Sequence, residues 1–219
     1  MTSFQADLDT VCALVRSKMS QYGRTVIGIA GPPASGKSTL AEAVVDTLNN
    51  EDAEGDIPTA SLVPMDGYHL DNVVLRAKGL FHCKGAPETF DADGFCAAVH
   101  RLKNTSKELF FPRFDRNRDL SIAGAISIHP RTPVVVVEGS YLLLNSAPWS
   151  RLRDEFAASV FVAPTRDQLR ERLLQRWIDH GLDPTAALRR ACSNDLPNAE
   201  RTLDESTSAD LALHQESRG

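Results

Sequence analysis

Short apolar runs alternate along the chain with segments in which apolar residues recur at helical spacing. Strands covered on both faces of a parallel sheet have continuous apolar runs, and the chain has four of them: residues 25–30, 60–65, 134–137 and 160–163. Apolar residues at helical spacing lie before, between or after these runs, at residues 4–19, 37–50, 93–102, 149–156 and 166–180. The alternation predicts an α/β fold in which helices flank a mostly parallel sheet, as a single domain over residues 1–219.

Two segments depart from this alternation. Residues 104–131 combine phenylalanines with proline and glycine breakers, which predicts a small strand-rich insertion whose topology the pattern leaves open. Residues 165–190 carry many arginines after the last apolar run, and we expect them to form a helical lid. Residues 215–219 have the composition of a free tail.

Composition limits the classes of protein to which the chain can belong. Its 219 residues are 42% hydrophobic and 24% charged, which suits a soluble domain whose core needs no disulfide or metal. The formal charge of -5 argues against a general nucleic-acid binder. The sequence shows neither a long apolar run nor an apolar leader, so we expect no membrane insertion and a cytoplasmic location. The four cysteines are scattered and are expected to be reduced thiols.

The strongest chemical signal is the string GPPASGKST, which begins directly after the first apolar run and leads into a helical segment. It contains the pattern GxxxxGK[ST], whose glycines let backbone N–H groups turn inward around a phosphate while the helix N-terminus adds its dipole. Lys37 is expected to contact the β- and γ-phosphates of ATP, and the Ser38 hydroxyl to bind Mg²⁺. The alternative is a glycine turn with a solvated lysine. The expected nucleotide-binding residues here are Gly31, Pro32, Pro33, Ala34, Ser35, Gly36, Lys37, Ser38 and Thr39.

Two acidic residues follow other apolar runs and are expected at the same edge of the sheet. Asp66 comes after residues 60–65, where a carboxylate could align an acceptor hydroxyl and take its proton. Glu138 follows four valines, in the place of an acid that contacts Mg²⁺ directly or through water. Either residue could instead cap a helix or a turn.

Further candidates come from the neighbouring strings. These are Tyr68, His69 and Arg113, whose strings contain aromatic, cationic and acidic residues close together. Such a composition suits the binding of a polyol or an acid, although each of the three could equally have a structural role. Arg172 and Arg176 are four residues apart and therefore share one face of the expected lid helix. One of them could close over the transferring phosphate, although a solvated basic face is the alternative.

Together, these motifs resemble a known group of P-loop kinases that includes uridine kinase, type I pantothenate kinase and phosphoribulokinase. The resemblance is carried by GPPASGKST, PMDGYHLDN, KGAPETFDADGF, FPRFDR, VVVVEGSYLLL and RERLLQRW. The second and third strings are most similar to bacterial fructose transport system kinases. The resemblance implies the P-loop NTPase fold and an ATP-dependent phosphotransferase with an alcohol acceptor.

The resemblance also implies roles for single residues. Asp66 matches the family's base, His69 a histidine of the substrate pocket, and Glu138 the acid near Mg²⁺. The chain lacks the nucleoside-pocket pattern of uridine kinases and the long N-terminal extension of pantothenate kinases. The acceptor is therefore the least determined part of the resemblance.

Two further matches concern the lid. Arg172 or Arg176 matches the family's lid arginine. The stretch NDLPNA, which contains Asn194 and Asn198, is similar to a late segment that packs near the adenine of ATP.

We therefore expect an ATP- and Mg²⁺-dependent kinase of a small hydroxyl-bearing metabolite, with a sugar as the first candidate and pantothenate or a nucleoside as the alternative. A rival hypothesis is a GTP-dependent switch, but a guanine-reading NKxD string is absent, and DADG at residues 91–94 matches DxxG only trivially. A nucleotide-binding regulator without transfer activity is a third hypothesis. A homodimer is common in the family, although no exposed apolar heptad favours one here.

Overall fold

The structure, a computed structural model, describes residues 3–20, 23–51 and 57–215. Within these ranges the strands are β1 (Thr25–Ala30), β2 (Ala60–Pro64), β3 (Leu109–Asp115), β4 (Leu120–Ile128), β5 (Val134–Gly139), β6 (Ala158–Pro164) and β7 (Leu211–Gln215). The α-helices are α1 (Ser3–Lys18), α2 (Lys37–Glu51), α3 (Asn72–Ala77), α4 (Ala92–Lys103), α5 (Arg166–Asp179), α6 (Pro184–Arg190) and α7 (Leu196–Glu205). The shorter helical turns include 3-10 helices at Met65–Tyr68 and Trp149–Glu155 and a π-helical turn at Ala191–Asp195.

Five strands form one parallel sheet in the order β2-β5-β1-β6-β7, which confirms the expected α/β fold. The central strand β1 pairs with β5 and β6, and β5 in turn pairs with β2. Both β1 and β5 are buried along their whole length, as their continuous apolar patterns predict. Because all five strands run the same way, the carboxyl ends of β1, β2 and β5 meet at one edge, where loops can gather functional groups.

Helices cover both faces of the sheet. On one face, Val15 of α1 and Val44 of α2 share a hydrophobic core with Ile27 of β1. On the other face, Phe95 of α4 shares a second core with Val26, the preceding residue of β1. Successive side chains of a strand point to opposite faces, so a strand with a core on each side must be apolar at every position.

Two elements differ from the sequence prediction, one in its end and one in its type. The strand β2 ends one residue earlier than expected, so that Met65 opens a 3-10 turn. The helix expected at residues 149–156 is a 3-10 helix rather than an α-helix. Its buried side chains, Trp149 and Leu152, are three residues apart, which is the spacing that one turn of a 3-10 helix brings to the same side.

The edge strand β7 is an element that the apolar runs do not predict. It pairs with β6 at the end of the sheet, and of its residues Leu213 is buried while the flanking positions 212 and 214 are exposed. An edge strand can alternate in this way because only one face needs an apolar cover. Gln215 closes this strand instead of opening a tail, and the rest of the expected tail, residues 216–219, lies outside the described residues.

The insertion expected at residues 104–131 is an antiparallel hairpin of β3 and β4. Phe111 and Ile128 bury its inner side in the core that also contains α4. The hairpin lies so close to the turn after β2 that a Cβ on Gly67 would come within 2.3 Å of the Pro112 carbonyl oxygen. Glycine at this position therefore allows the hairpin to approach the carboxyl edge of the sheet.

The helical segment predicted to be a lid extends beyond residues 165–190, and we use the name lid for residues 165–205. Helix α5 begins with a capping box between Thr165 and Gln168, and Asp183 caps α6. The π-helical turn then leads directly into α7, so the helical cap continues to Glu205. The lid has a small core of its own, formed by Leu169, Leu173, Ala191 and Ala199.

Two expectations drawn from composition can be compared with the structure. The cysteines Cys12, Cys83, Cys96 and Cys192 are all free thiols, as expected. In the part of the chain that the structure describes, none of the helices is both long enough and apolar enough to cross a bilayer.

Replacing Gly67 by alanine is expected to destabilise the fold. The added methyl group would press on the Pro112 backbone, and overpacking of this kind costs about 1–3 kcal/mol. Thermal unfolding should show a fall in melting temperature of roughly 2–12 °C. The matched change Gly23→Ala, whose Cβ would meet nothing within 4 Å, should leave the melting temperature unchanged. Equal melting temperatures for the two variants would contradict the packing of the hairpin on this turn.

Candidate active site

The expected phosphate loop folds between β1 and α2. Gly31 is tightly enclosed, because a Cβ there would lie 2.7 Å from the Val162 carbonyl oxygen and 2.8 Å from Ser35 Oγ. Gly36 has a φ of 90°, in the left-handed region that favours glycine. The buried Ser35 hydroxyl accepts a hydrogen bond from the backbone N–H of Lys37, the first residue of α2, at 3.3 Å. The loop thus ends at a helix N-terminus, whose dipole favours an anion.

The loop borders a cavity of about 710 Å³. Among the expected nucleotide-binding residues, six line this cavity: Pro33, Ala34, Gly36, Lys37, Ser38 and Thr39. The other three, Gly31, Pro32 and Ser35, do not line the cavity. A hydrogen bond from Ser35 N to the Pro32 carbonyl oxygen, at 3.1 Å, closes a turn within the loop. The cavity therefore meets the side of the loop on which the lysine and the first turn of α2 lie.

Glu138 lies near the end of β5 beside the loop. Only 5% of the residue is exposed, and the Ser38 hydroxyl donates a hydrogen bond to Glu138 Oε2 at 3.1 Å. Burial raises the pKa of Glu138, and the charge of Lys37 partly opposes that rise. Among the described residues, no group of three or more His, Cys, Asp or Glu side chains could hold a metal ion alone. A carboxylate and a hydroxyl suit Mg²⁺, which usually takes its other ligands from water and phosphate oxygens.

Asp66 lines the cavity from the 3-10 turn that follows β2. Its Oδ2 accepts a hydrogen bond from Arg116 Nη2 at 2.8 Å, and 31% of its side chain is exposed. Within the described residues its other oxygen, Oδ1, has no hydrogen-bond donor. Because β5 separates β1 from β2, the end of β5 with Glu138 lies between the phosphate loop and the Asp66 turn.

His69 is fixed on the same turn. Its Nδ1 lies 2.8 Å from the Asp66 carbonyl oxygen, and because a carbonyl oxygen can only accept, Nδ1 carries the proton. The His69 ring lies between Phe90 and Phe114, with centroid distances of 4.0 and 4.6 Å. Burial lowers the pKa of His69, so the imidazole is neutral near pH 7 and its Nε2 is a hydrogen-bond acceptor.

Tyr68, expected to bind substrate, points into the core instead. Its ring packs edge-on against Phe95 at a centroid distance of 5.0 Å, and burial raises the pKa of Tyr68 to about 12. The two neighbouring residues therefore point in different directions, and only His69 is among the residues that line the cavity. The tyrosine in the cavity wall is Tyr141, whose hydroxyl donates to the Gly85 carbonyl oxygen.

The expectation for Arg113 also needs correction. Arg113 is exposed on β3 and does not contribute to the cavity lining. The register of the hairpin shifts between Phe111 and Arg113, which changes the side chains that β3 turns inward. Three residues further on, Arg116 is the cation that reaches Asp66.

The two lid arginines occupy different positions. Arg172 Nη1 lies 3.4 Å from the carbonyl oxygens of both Ala34 and Ser35, so this side chain braces the loop backbone. Arg176 follows one helical turn later, lines the cavity and lies 5.8 Å from the Trp177 ring centroid. Of the two, Arg176 is the one placed to reach a group bound in the cavity.

Asn194 and Asn198 form a buried link between the lid and the cavity wall. Asn194 Nδ2 donates to the Lys84 carbonyl oxygen at 2.8 Å, and Asn198 Nδ2 donates to Asn194 Oδ1 at 3.1 Å. Of the pair, only Asn198 contributes to the cavity lining. These two residues therefore connect the lid to the segment that contains Lys84. Their contact with adenine stays a prediction.

The cavity wall also contains an ion pair, between Lys84 and Asp119, that no local sequence motif predicts. Lys84 Nζ donates to Asp119 Oδ1 and to Asn72 Oδ1, each at 2.7 Å, and Asn72 Nδ2 donates to Asp119 Oδ2 at 2.8 Å. Burial favours a higher pKa for Asp119, but the hydrogen bonds from Lys84 and Asn72 outweigh it, so the pKa is lowered. Because 35 positions separate Lys84 from Asp119, only the folded chain brings them together.

Comparisons with known proteins find a matching family model and similar sequences. The family model described as the Phosphoribulokinase / Uridine kinase family matches residues 26–187, which include the loop, both acids and the lid arginines. The uncharacterized protein YggC of Escherichia coli (strain K12) is 35% identical over 196 residues, which cover 90% of this chain and 80% of YggC. A Schizosaccharomyces pombe protein provisionally named as a uridine kinase is 33% identical over 202 residues, which cover 88% of this chain and 83% of that protein.

One solved structure is similar over nearly the whole chain. A crystal structure from Silicibacter sp. TM1040, provisionally described as a fructose transport system kinase, matches with a TM-score of 0.87 and 40% identity. The match covers 94% of this chain and 98% of the Silicibacter chain.

Replacing His69 by glutamine is expected to change how stability depends on pH. The unfolded chain binds a proton near pH 6.5, whereas the folded protein, with its lowered His69 pKa, resists protonation until a lower pH. The neutral His69 thus contributes stability above about pH 6.5 that is lost as the pH falls. Melting temperatures measured from about pH 7.5 to about pH 5 should fall less steeply for His69→Gln than for the wild type.

The matched control is His214→Gln, because His214 is exposed on β7. This variant should follow the wild-type curve. A His69→Gln curve parallel to that of the wild type would contradict the buried neutral imidazole.

Proposed function

The chain belongs to the phosphoribulokinase and uridine kinase family, whose members are kinases, and on that premise we propose that it transfers the γ-phosphate of ATP to a hydroxyl group of a small sugar. One observation carries the proposal: Lys37 of the phosphate loop and Asp66 line the same cavity, with the buried Glu138 on the strand between them. Phosphoryl transfer to an alcohol needs a phosphate cradle, a site for Mg²⁺ and a carboxylate near the acceptor.

We assign the loop to the triphosphate of ATP. Backbone N–H groups of the loop and the ammonium of Lys37 would hold the β- and γ-phosphates. Ser38 and Glu138 would hold Mg²⁺, which when bound offsets the phosphate charge and orients the terminal phosphate. The raised pKa of Glu138 fits this assignment, because a cation beside the buried carboxylate would favour the ionised form that burial disfavours.

Asp66 is the candidate for the base. In the transfer, the acceptor oxygen attacks the γ-phosphorus, the bond from that phosphorus to the ADP oxygen breaks, and the hydroxyl proton passes to Asp66. Arg116 binds Asp66 Oδ2, which leaves Oδ1 to accept the proton and fixes the plane of the carboxylate.

The lid supplies the remaining cation. Arg176 lines the cavity and would stabilise the charge of the transferring phosphoryl group. Arg172, which contacts the carbonyl oxygens of the loop, would instead couple the position of the lid to the shape of the loop.

A sugar is the favoured acceptor for two reasons. The 40% identical Silicibacter structure is described as a fructose transport system kinase, and the cavity wall beyond Asp66 presents both aromatic rings and polar side chains. Pantothenate and a nucleoside are the alternative acceptors. A nucleotide-binding regulator that lacks transfer activity is the alternative function.

The hypothesis of a GTP-dependent switch has no support in the fold. The string DADG begins at Asp91, whose Oδ1 accepts a hydrogen bond from Gly94 N at 3.0 Å and so caps α4. Asp91 is thus the N-cap of a helix, and it is not among the residues that line the cavity beside the phosphate loop.

The acceptor screen tests the proposed function. With Mg²⁺ and ATP, the protein should release ADP in amounts that depend on one acceptor among sugars, pantothenate and nucleosides. Lys37→Ala should abolish this release, because the β- and γ-phosphates lose their charged contact. Asp66→Asn should lower kcat by about 10²–10⁴, the usual contribution of a general base. ADP release should be measured in a coupled assay for each variant.

Two exposed residues provide matched controls, Lys107→Ala for the lysine and Asp93→Asn for the aspartate. Both should retain wild-type kcat. Release of ADP that is indifferent to every acceptor would contradict the kinase assignment, and ATP binding without turnover would favour the regulator.

The two lid arginines should affect different kinetic parameters. Arg176→Ala should lower kcat by roughly 10²–10³ with little change in melting temperature, because it removes a contact formed in the transition state. Arg172→Ala should mainly raise the KM for ATP, because the loop loses its brace. Arg170→Ala, on the exposed side of α5, should change neither parameter. Identical kinetic effects of Arg172→Ala and Arg176→Ala would contradict the two separate positions.

A further inference from the structure

Resting on the proposed function, we propose that the acceptor end of the cavity is electrically balanced and selects an uncharged polyol over acids and phosphorylated sugars, with Lys84 and Asp119 as specificity-determining residues. The acceptor end is the wall formed by Asp66, His69, Lys84, Phe114, Arg116 and Asp119.

The first observation is charge pairing at the acceptor end. Lys84 Nζ lies 2.7 Å from Asp119 Oδ1, and Arg116 Nη2 lies 2.8 Å from Asp66 Oδ2. As far as the described residues extend, each lysine and arginine of this wall therefore has its own carboxylate. An anionic acceptor would meet two carboxylates here, while both cations are already engaged.

The phosphate end of the cavity is different. Lys37, Arg176 and Arg190 line it, and none of the three forms an ion pair with a carboxylate within the described part of the chain. Arg176 and Arg190 instead lie near the Trp177 ring, at 5.8 and 5.0 Å from its centroid. Unpaired cations suit the triphosphate, so the cavity separates a region for anions from a region without net charge.

The second observation is the supply of hydrogen bonds at the acceptor end. All three hydrogens of the Lys84 ammonium have acceptors, because Nζ contacts Asn72 Oδ1, Asp119 Oδ1 and the Asp119 carbonyl oxygen. Lys84 thus neutralises and positions Asp119, whose carboxylate oxygens keep lone pairs for acceptor hydroxyls. The remaining N–H groups of Arg116 can donate. A hydroxyl group both donates and accepts, and it therefore matches this mixed wall better than an anion does.

The third observation is an aromatic surface beside these polar groups. The neutral His69 ring contacts the Phe90 and Phe114 rings at tilted angles, and Lys84 lies 5.1 Å from the Phe114 centroid. A sugar ring has C–H groups on its faces and hydroxyl groups around its edge. It can therefore pack one face on an aromatic ring while its edge bonds to Asp119 and Arg116.

Two charge variants test this inference. Asp119→Asn keeps nearly the same shape but exposes the charge of Lys84, and it should raise kcat/KM for gluconate or fructose 6-phosphate relative to fructose by at least about tenfold. Lys84→Met leaves Asp119 unpaired and should shift the ratio of glucosamine to fructose upward by a similar factor. Asp93→Asn, which removes one partner of an exposed ion pair remote from the cavity, should leave both ratios unchanged. Damage to the fold would lower all rates together and would leave both ratios unchanged.

Equilibrium binding separates this inference from the proposed function. Calorimetry with a non-hydrolysable ATP analogue and Mg²⁺ present should show that wild-type protein binds neutral fructose or xylitol more tightly than gluconate, pantothenate or fructose 6-phosphate. Binding of a polyol without any turnover would support the charge balance and contradict the kinase assignment. Turnover that prefers an anionic acceptor would support a kinase and overturn the inference. Charge variants with unchanged acceptor ratios would also overturn it.

Discussion

The parallel pairing of β1, β5 and β2 is the constraint on which the site depends. Neighbouring strands of a sheet lie about 4.8 Å apart, so three consecutive strand ends form a compact row. The phosphate loop follows Ala30 of β1, Glu138 lies on β5, and Asp66 follows β2. The backbone hydrogen bonds of the sheet thus hold a phosphate cradle, a candidate metal ligand and a candidate base at fixed separations. The lid and the hairpin add groups to this row without setting its spacing.

The part of the site on this row could be predicted from the sequence. Continuous apolar runs identify buried parallel strands, and the residues that follow such runs must lie at the carboxyl edge of the sheet. The loop pattern then predicts phosphate binding at that edge, because it follows a strand and leads into a helix. These local signals are sufficient to place Lys37 and Asp66 in the wall of one cavity and Glu138 on the strand between them.

The residues contributed by the hairpin and the lid could not be placed in the same way. Arg113 is exposed on β3, whereas Arg116, in the turn after β3, donates to Asp66, and nothing in the string FPRFDR predicts this difference. The direction of a 3-10 turn decides that His69 and not Tyr68 faces the cavity. The contact between Lys84 and Asp119 depends on how the hairpin packs over the sheet. Contacts between distant segments of this kind are set by tertiary packing, which local periodicity does not encode.

The most direct test of the central claim is a crystal structure with Mg²⁺, a non-hydrolysable ATP analogue and the acceptor that the screen identifies. We expect the terminal phosphates in the loop against Lys37, the metal ion beside Ser38 and Glu138, and the acceptor hydroxyl within hydrogen-bond distance of Asp66 Oδ1 and facing the γ-phosphorus. An empty loop, or an acceptor bound away from Asp66, would contradict the claim that the sheet edge brings these groups together for phosphoryl transfer.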